Sequence, residues 1–258
     1  MEKEGMSKSH RKSEPVAGPS KKPTRREIYE FMIRTGVRLE ARNRTTCSAI
    51  TTMHRLLDTD LASHICHYVN FLFRISFLFI ILFSTLAGAA FLVAIKHEED
   101  NLIGIRDVIN AMHRILHEDE EPLKIDSQLW DIRKGLAKLE FVVLRQLGFD
   151  IHFDDPFKPL SLYLDQLRSW MPDEFEEYKV VDNCFAVMRD CFVDPEFVES
   201  HSTASLAISV ISVVLKGFSL EVPHSRAWFE VLHKTMSESK LRRLEKDILS
   251  IVYQIDVE

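Results

Sequence analysis

The chain has 258 residues, 46% of them hydrophobic and 28% charged, with only 8 Gly and 9 Pro. That length buries a sizeable core, as one large domain or two smaller ones, and so few turn formers exclude a hairpin-rich β protein. The formal charge is −6, yet residues 1–26 hold eight Lys or Arg against three Glu, so the +5 of this stretch leaves −11 on the remainder, a poor nucleic-acid surface.

Residues 1–25 are rich in Lys, Ser, Pro and Gly without apolar periodicity, which predicts a disordered basic tail. Its clusters, Arg11-Lys12 and Lys21-Lys22-Pro23-Thr24-Arg25-Arg26, suit a nuclear import signal as well as a solvated tail. Residues 26–41 place Ile28, Phe31, Met32, Thr35 and Leu39 near one face of a first helix. Asn43 is positioned to cap a second, with Ile50, Met53 and Leu57 on its stripe. Cys47, Cys66, Cys184 and Cys191 show no CxxC spacing and no secretory signal precedes them, so reduced thiols in a nuclear or cytoplasmic protein are expected.

Residues 75–95 run for 21 positions without a charge, which meets the length and polarity of a membrane-spanning helix. The stretch is not uniform. Residues 69–84 are rich in Phe, Leu and Ile, whereas residues 86–95 use Ala87, Gly88, Ala89, Ala90 and Ala94, which suits a central helix buried on all sides. Residues 69–84 therefore read as an anomalous apolar insertion, for which an intron translated in frame is one explanation. A membrane-anchored helical protein spanning residues 75–95 is the alternative reading.

The apolar run ends in Lys96-His97-Glu98-Glu99, and a helix is predicted over residues 100–111 with Leu102, Ile105, Val108 and Ile109 apolar. His113 and His117 are one turn apart and precede Glu118, Asp119 and Glu120, but spacing defines no third ligand; His64, Cys66 and His67 form a similarly weak group. No metal is assigned. Residues 128–149 predict a longer helix ending near Gly148. Glu140 lies on its apolar stripe of Leu136, Val143, Leu144 and Leu147 with no basic residue three or four positions away, so it needs a distant partner, and Lys96 is the best candidate. From pattern alone, such a pair is a salt bridge that orients two helices.

Pro156 and Pro159 punctuate the chain, and helical patterns resume over residues 160–170, 178–193, 197–218, 225–236 and 239–255. Five helices followed by five more predict an all-α chain of two tandem five-helix folds, 26–155 and 156–258. There is no Walker loop, G-x-S-x-G, H-E-x-x-H or dinucleotide glycine pattern, so neither catalysis nor a cofactor is expected.

Residues 26–57, residues 86–107 containing AGAAFLVAIKHEEDNLIGIRD, the stretch LKIDSQLWDIRKGLAKLEFVVLRQLGFD and the continuation HFDDPFKPLSLYLDQLRSW together resemble the cyclin family, nearest to its cyclin-Q branch. The resemblance implies two tandem cyclin folds. It implies a non-catalytic subunit that binds and activates a cyclin-dependent kinase, of the kinase 10 class. It also implies that Lys96 and Glu140 approach each other and hold backbone groups of the kinase helix bearing the catalytic glutamate, with Val93, Leu144 and Phe149 as apolar neighbours. The first helix lacks the Met-Arg-x-x-Leu-x-x-Trp arrangement with which some cell-cycle cyclins dock substrates, so that groove is not expected. Residues 69–84 have no counterpart in the family pattern.

Overall fold

The computed structural model describes residues 23–59, 76–118, 123, 127–223 and 226–255. Most of the basic tail, the first part of the apolar insertion and the group His64, Cys66 and His67 lie outside the described residues. Among these residues every regular element is helical: α1 (Arg25–Arg38), α2 (Asn43–Leu57), α3 (Ser76–His97), α4 (Ile105–Leu116), α5 (Ser127–Gln146), α6 (Phe157–Trp170), α7 (Pro172–Glu177), α8 (Val180–Asp190), α9 (Pro195–Glu199), α10 (Thr203–Gly217), α11 (Trp228–Leu232) and α12 (Glu238–Asp247).

Helix α3 is the centre of the first set. From Leu86 to Ile95 every residue is buried, and α2, α5, α4 and α1 all pack on this stretch. Small side chains at Ala87, Ala89, Ala90 and Ala94 let those neighbours approach closely. Each fully buried Leu, Ile, Val or Phe among them contributes roughly 1.5–3 kcal/mol. This burial overturns the reading of residues 75–95 as a membrane span, since its second half is already enclosed by its own chain. Among the described residues no helix is long and apolar enough to cross a membrane. The last residues of the insertion, from Ser76, continue into α3 as its first turns.

Two helix starts differ from the sequence expectation, for one shared reason. Asn43 is the first residue of α2 rather than its cap, and Arg42, which precedes it, makes no side-chain capping bond. Instead the Asp100 carboxylate reaches over from the α3–α4 loop, accepting from Arg42 N at 3.1 Å and Thr45 Oγ1 at 2.9 Å. Asp100 is thereby committed to α2, and α4 starts only at Ile105, where the Asp107 carboxylate accepts from Gly104 N at 2.8 Å.

The second set is built around α10, which is buried along most of its length and packed by α6, α8 and α12. Two short helices break the expected five. Pro172 opens α7 and Pro195 opens α9, each at a position where the missing N–H costs nothing. The helix expected over residues 197–218 is interrupted because Asp194 caps α9 and Ser202 caps α10 anew.

The two sets share a packed junction. The Arg26 guanidinium donates to Ile251 O at 2.6 Å and Val252 O at 2.8 Å, tying the first helix to the chain's last turns. Phe153 and Phe192 pack with ring centroids 5.9 Å apart. Cys47, Cys184 and Cys191 are buried free thiols, and burial pushes Cys184 up to about 12, so none is a ready nucleophile.

The α1–α2 crossing depends on a glycine. A Cβ on Gly36 would stand 2.2 Å from Thr46 Oγ1 and 2.6 Å from its Cγ2, both on a side chain that is itself buried. Gly36→Ala is therefore expected to destabilise the chain by about 1–3 kcal/mol, read as a lower urea midpoint at unchanged slope. An unaltered midpoint would mean that the two helices part without cost.

Candidate functional site

Lys96 is where α3 emerges from the core. Its side chain is 66% exposed, and its Nζ lies 2.5 Å from Glu140 Oε1 on α5, a partner 44 residues away. Glu140 is only 12% exposed, because Leu136 and Val143 beside it are core residues and Leu144 and Leu147 pack against that core. The two charges meet as the sequence pattern required.

A second pair in the chain shows what is particular about the first. Lys216, near the end of α10, lies 2.5 Å from Glu245 Oε2 on α12, with exposures of 62% and 10%. There the other carboxylate oxygen accepts from the buried Ser212 hydroxyl, which closes the pair. Glu140 has no such donor: its other oxygen and the remaining Lys96 N–H groups make no hydrogen bond with any described residue. The α3–α5 pair thus keeps both acceptor and donor capacity at the surface.

The apolar residues expected beside it fall into three situations. Val93 is 3% exposed and belongs to the core, where it supports Lys96 from one turn below and presents no surface of its own. Leu144 is half-buried. Phe149 is 64% exposed and has φ of +61°, as does Gly148 before it. A bulky residue in the left-handed region costs about 1–3 kcal/mol and persists only where its surroundings impose it. Here Phe149 N donates to Leu144 O at 2.8 Å and Gly148 N to Arg145 O at 3.1 Å. The next residue is held as well, since Arg55 of α2 donates to the Asp150 carboxylate at 2.9 Å. The His152 N–H and then the Arg55 guanidinium keep the Asp150 carboxyl below its ordinary range.

Sequence reasoning missed two residues of this region. Phe141, next to Glu140, is 72% exposed, and Leu102 in the α3–α4 loop is 96% exposed. Phe141 does carry a signal, being a large apolar side chain off the buried stripe of an amphipathic helix. Leu102 was expected on the apolar face of a helix and instead stands out from a loop. Of the metal-like group, the His113 and His117 rings are tilted against each other with centroids 4.7 Å apart, while Glu118 pairs with Arg34 at 2.5 Å; Asp119 and Glu120 lie outside the described residues. No group of three or more possible ligands occurs among the described residues.

No protein-family model matches the chain. Over 138 residues it is 29% identical to Cyclin-L2 of Mus musculus, covering 52% of this chain and 26% of that one. Cyclin-L1 of Gallus gallus is 29% identical over 138 residues, with 52% and 25% covered. Cyclin-L1 of Danio rerio is 25% identical over 161 residues, with 61% and 31% covered. The chain thus spans about a quarter to a third of the length of these curated relatives. In three dimensions it is similar to a chain of the crystal structure of the yeast RNA Pol II CTD kinase CTDK-1 complex, with a TM-score of 0.55, 14% identity, and 88% of this chain and 64% of that one covered. The architecture is that of an all-α cyclin-type fold. In sequence the chain is similar to the L-type cyclins over about half of its length.

The loop that follows Lys96 is anchored by Asp100. Burial alone would raise its carboxyl, but the Arg42 N–H, the Thr45 hydroxyl and the Arg42 charge outweigh that and hold it below the ordinary 3.8. A carboxylate depressed in the folded chain stabilises it fully above the unfolded value, and that contribution is lost as pH falls through the folded one. Asp100→Ala should cost about 1–3 kcal/mol at neutral pH. The gap to the parent should narrow only below pH 3.8 in a urea series run at several pH values, whereas a gap independent of pH would show that the charge is not what anchors the loop.

Proposed function

We propose that the chain is a non-catalytic regulatory subunit that binds a cyclin-dependent protein kinase and stabilises its active conformation. The observation that carries this reading is the open state of the Lys96–Glu140 pair: a preorganised ion pair with unused donor and acceptor capacity, with exposed Phe141 next to Glu140 in sequence and exposed Phe149 just past the end of the same helix. Such a pair can receive and donate hydrogen bonds at a partner's backbone, and each is charge-assisted. Exposed aromatic neighbours exclude water from those bonds and supply the apolar anchors that dominate interface energetics. A kinase helix held this way keeps its catalytic glutamate in place, and the active state gains population by the difference in affinity.

The roles follow from placement. Lys96 and Glu140 are the polar contacts; Leu144 and Phe149 are their apolar neighbours; Val93 acts from beneath by fixing the turn that carries Lys96. The resemblance to the cyclin-Q branch supports a kinase of the kinase 10 class as the partner, with the first helical set, residues 26–155, as the kinase-binding fold and residues 156–258 as a second cyclin fold. The basic clusters of residues 11–12 and 21–26 support entry to the nucleus, where such a subunit acts in transcription or the cell cycle.

Lys96→Ala and Glu140→Ala should each weaken affinity for the purified kinase at least about tenfold, some 1.4 kcal/mol. Far-ultraviolet dichroism should stay that of the parent. Equal affinity in both variants, or a kinase that is not retained by the parent chain at all, would overturn the reading. Phe149→Ala should lower affinity by a similar factor and, by relieving nothing at φ of +61°, leave stability within about 0.5 kcal/mol, measured by urea unfolding.

A further inference from the structure

A groove of about 350 Å³ lies between the first turns of α4 and α5, lined by Gly104, Ile105, Arg106, Ile109, Leu129, Trp130 and Arg133. Its floor is apolar, with Ile109 5% and Leu129 6% exposed. Its rim is aromatic and cationic. Trp130 is 48% exposed, and the Arg133 guanidinium lies 5.2 Å from the Trp130 ring centroid, with Arg106 contributed by α4.

Two features make this more than a surface dent. First, the lining holds two arginines and no carboxylate, in a chain of net charge −6. Second, neither arginine takes part in an ion pair with any described residue, although the nearby Asp131 has Lys134 at 3.9 Å and Glu118 is taken by Arg34 at 2.5 Å. Arg133 lies over the Trp130 ring without an ion pair to any described residue, and a guanidinium fork matches a carboxylate in two parallel bonds. Trp and Arg are also among the residue types enriched at binding hot spots.

We infer that this groove docks an acidic linear peptide that seats one large apolar side chain between Ile109, Leu129 and Trp130 while its carboxylates engage Arg106 and Arg133. The charge complementarity selects the occupant. A nucleic-acid strand needs a continuous track of cations, and two arginines on an acidic body do not provide one. The groove is separate from Lys96 and Glu140, so the inference stands whether or not that pair holds a kinase.

The test is fluorescence anisotropy with the full chain and a labelled octapeptide, Glu-Glu-Asp-Leu-Phe-Asp-Glu-Glu, against a control in which every acid is Ser. The acidic peptide should bind at least about tenfold more tightly than the control, and its affinity should fall as salt rises from about 50 to about 300 mM. Arg106→Glu combined with Arg133→Glu, both exposed and therefore tolerable to the fold, should abolish the preference for the acidic peptide. Trp130→Ala should weaken both peptides. Equal binding of the two peptides, retention of the preference in the double variant, or no binding to the parent chain would overturn the inference. So would a Trp130-dependent dimer in sedimentation, which would make the groove's occupant a second copy.

Discussion

The rest of the first helical set is arranged by the enclosure of residues 86–95 of α3. A helix with no solvent face over ten residues can be satisfied only by neighbours on every side, and α1, α2, α4 and α5 are those neighbours. Because the enclosing helices must approach closely, the central helix is built from alanine on much of its surface, with Phe91 as the bulk that fills the space between layers. Lys96 emerges where the enclosure stops. Its position is therefore set by the packing of the entire first set, which is what a partner requiring sub-ångström placement of a charge demands.

The two lysine–carboxylate pairs show how one device can serve opposite ends. Both join the end of a buried central helix to a later helix of the same set, with the lysine largely exposed and the carboxylate largely buried. Ser212 satisfies the second oxygen of Glu245 and turns that pair into an internal fastening. Among the described residues none does so for Glu140. A carboxylate oxygen that is closed by an internal donor in one pair and left at the surface in the corresponding pair keeps the latter pair available for an external donor. The strained φ of Phe149, held by α5's own carbonyls and by the Arg55 anchor on Asp150, belongs to the same economy: conformational cost is concentrated where a surface is presented.

How far the sequence reveals this depends on the range of each interaction. The all-α class was legible from periodicity, and the Lys96–Glu140 contact from two unmatched charges on apolar stripes, since each charge announces the need for a distant partner. The α2 cap was not legible, because Asp100 comes from 58 positions away and nothing local at Asn43 shows that a better acceptor will arrive. The start of α4 was misplaced for the same cause, as Asp100 cannot both cap α2 and begin a helix. Val93 was placed beside the pair by the family resemblance alone, and the structure puts its side chain in the core. Exposure on a helix enclosed from all sides depends on neighbours that spacing does not count. Phe141 and Trp130 were readable in principle as large apolar side chains off α5's buried stripe.

Helix α5 is consequently a two-faced display. Its stripe of Leu129, Leu136 and Val143 is buried in the core, while Trp130 with Arg133 near one end and Phe141 near the other stay exposed. Ten residues of α-helix separate Trp130 from Glu140, about 15 Å at 1.5 Å per residue, so the groove and the ion pair are distinct surfaces on one rigid element. A partner covering Glu140 and Phe149 need not cover Trp130, and a peptide seated against Trp130 is held at a fixed distance from whatever that partner is. A segment held in the groove gains effective concentration for whatever partner occupies the ion pair, and a contact that is weak alone becomes selective.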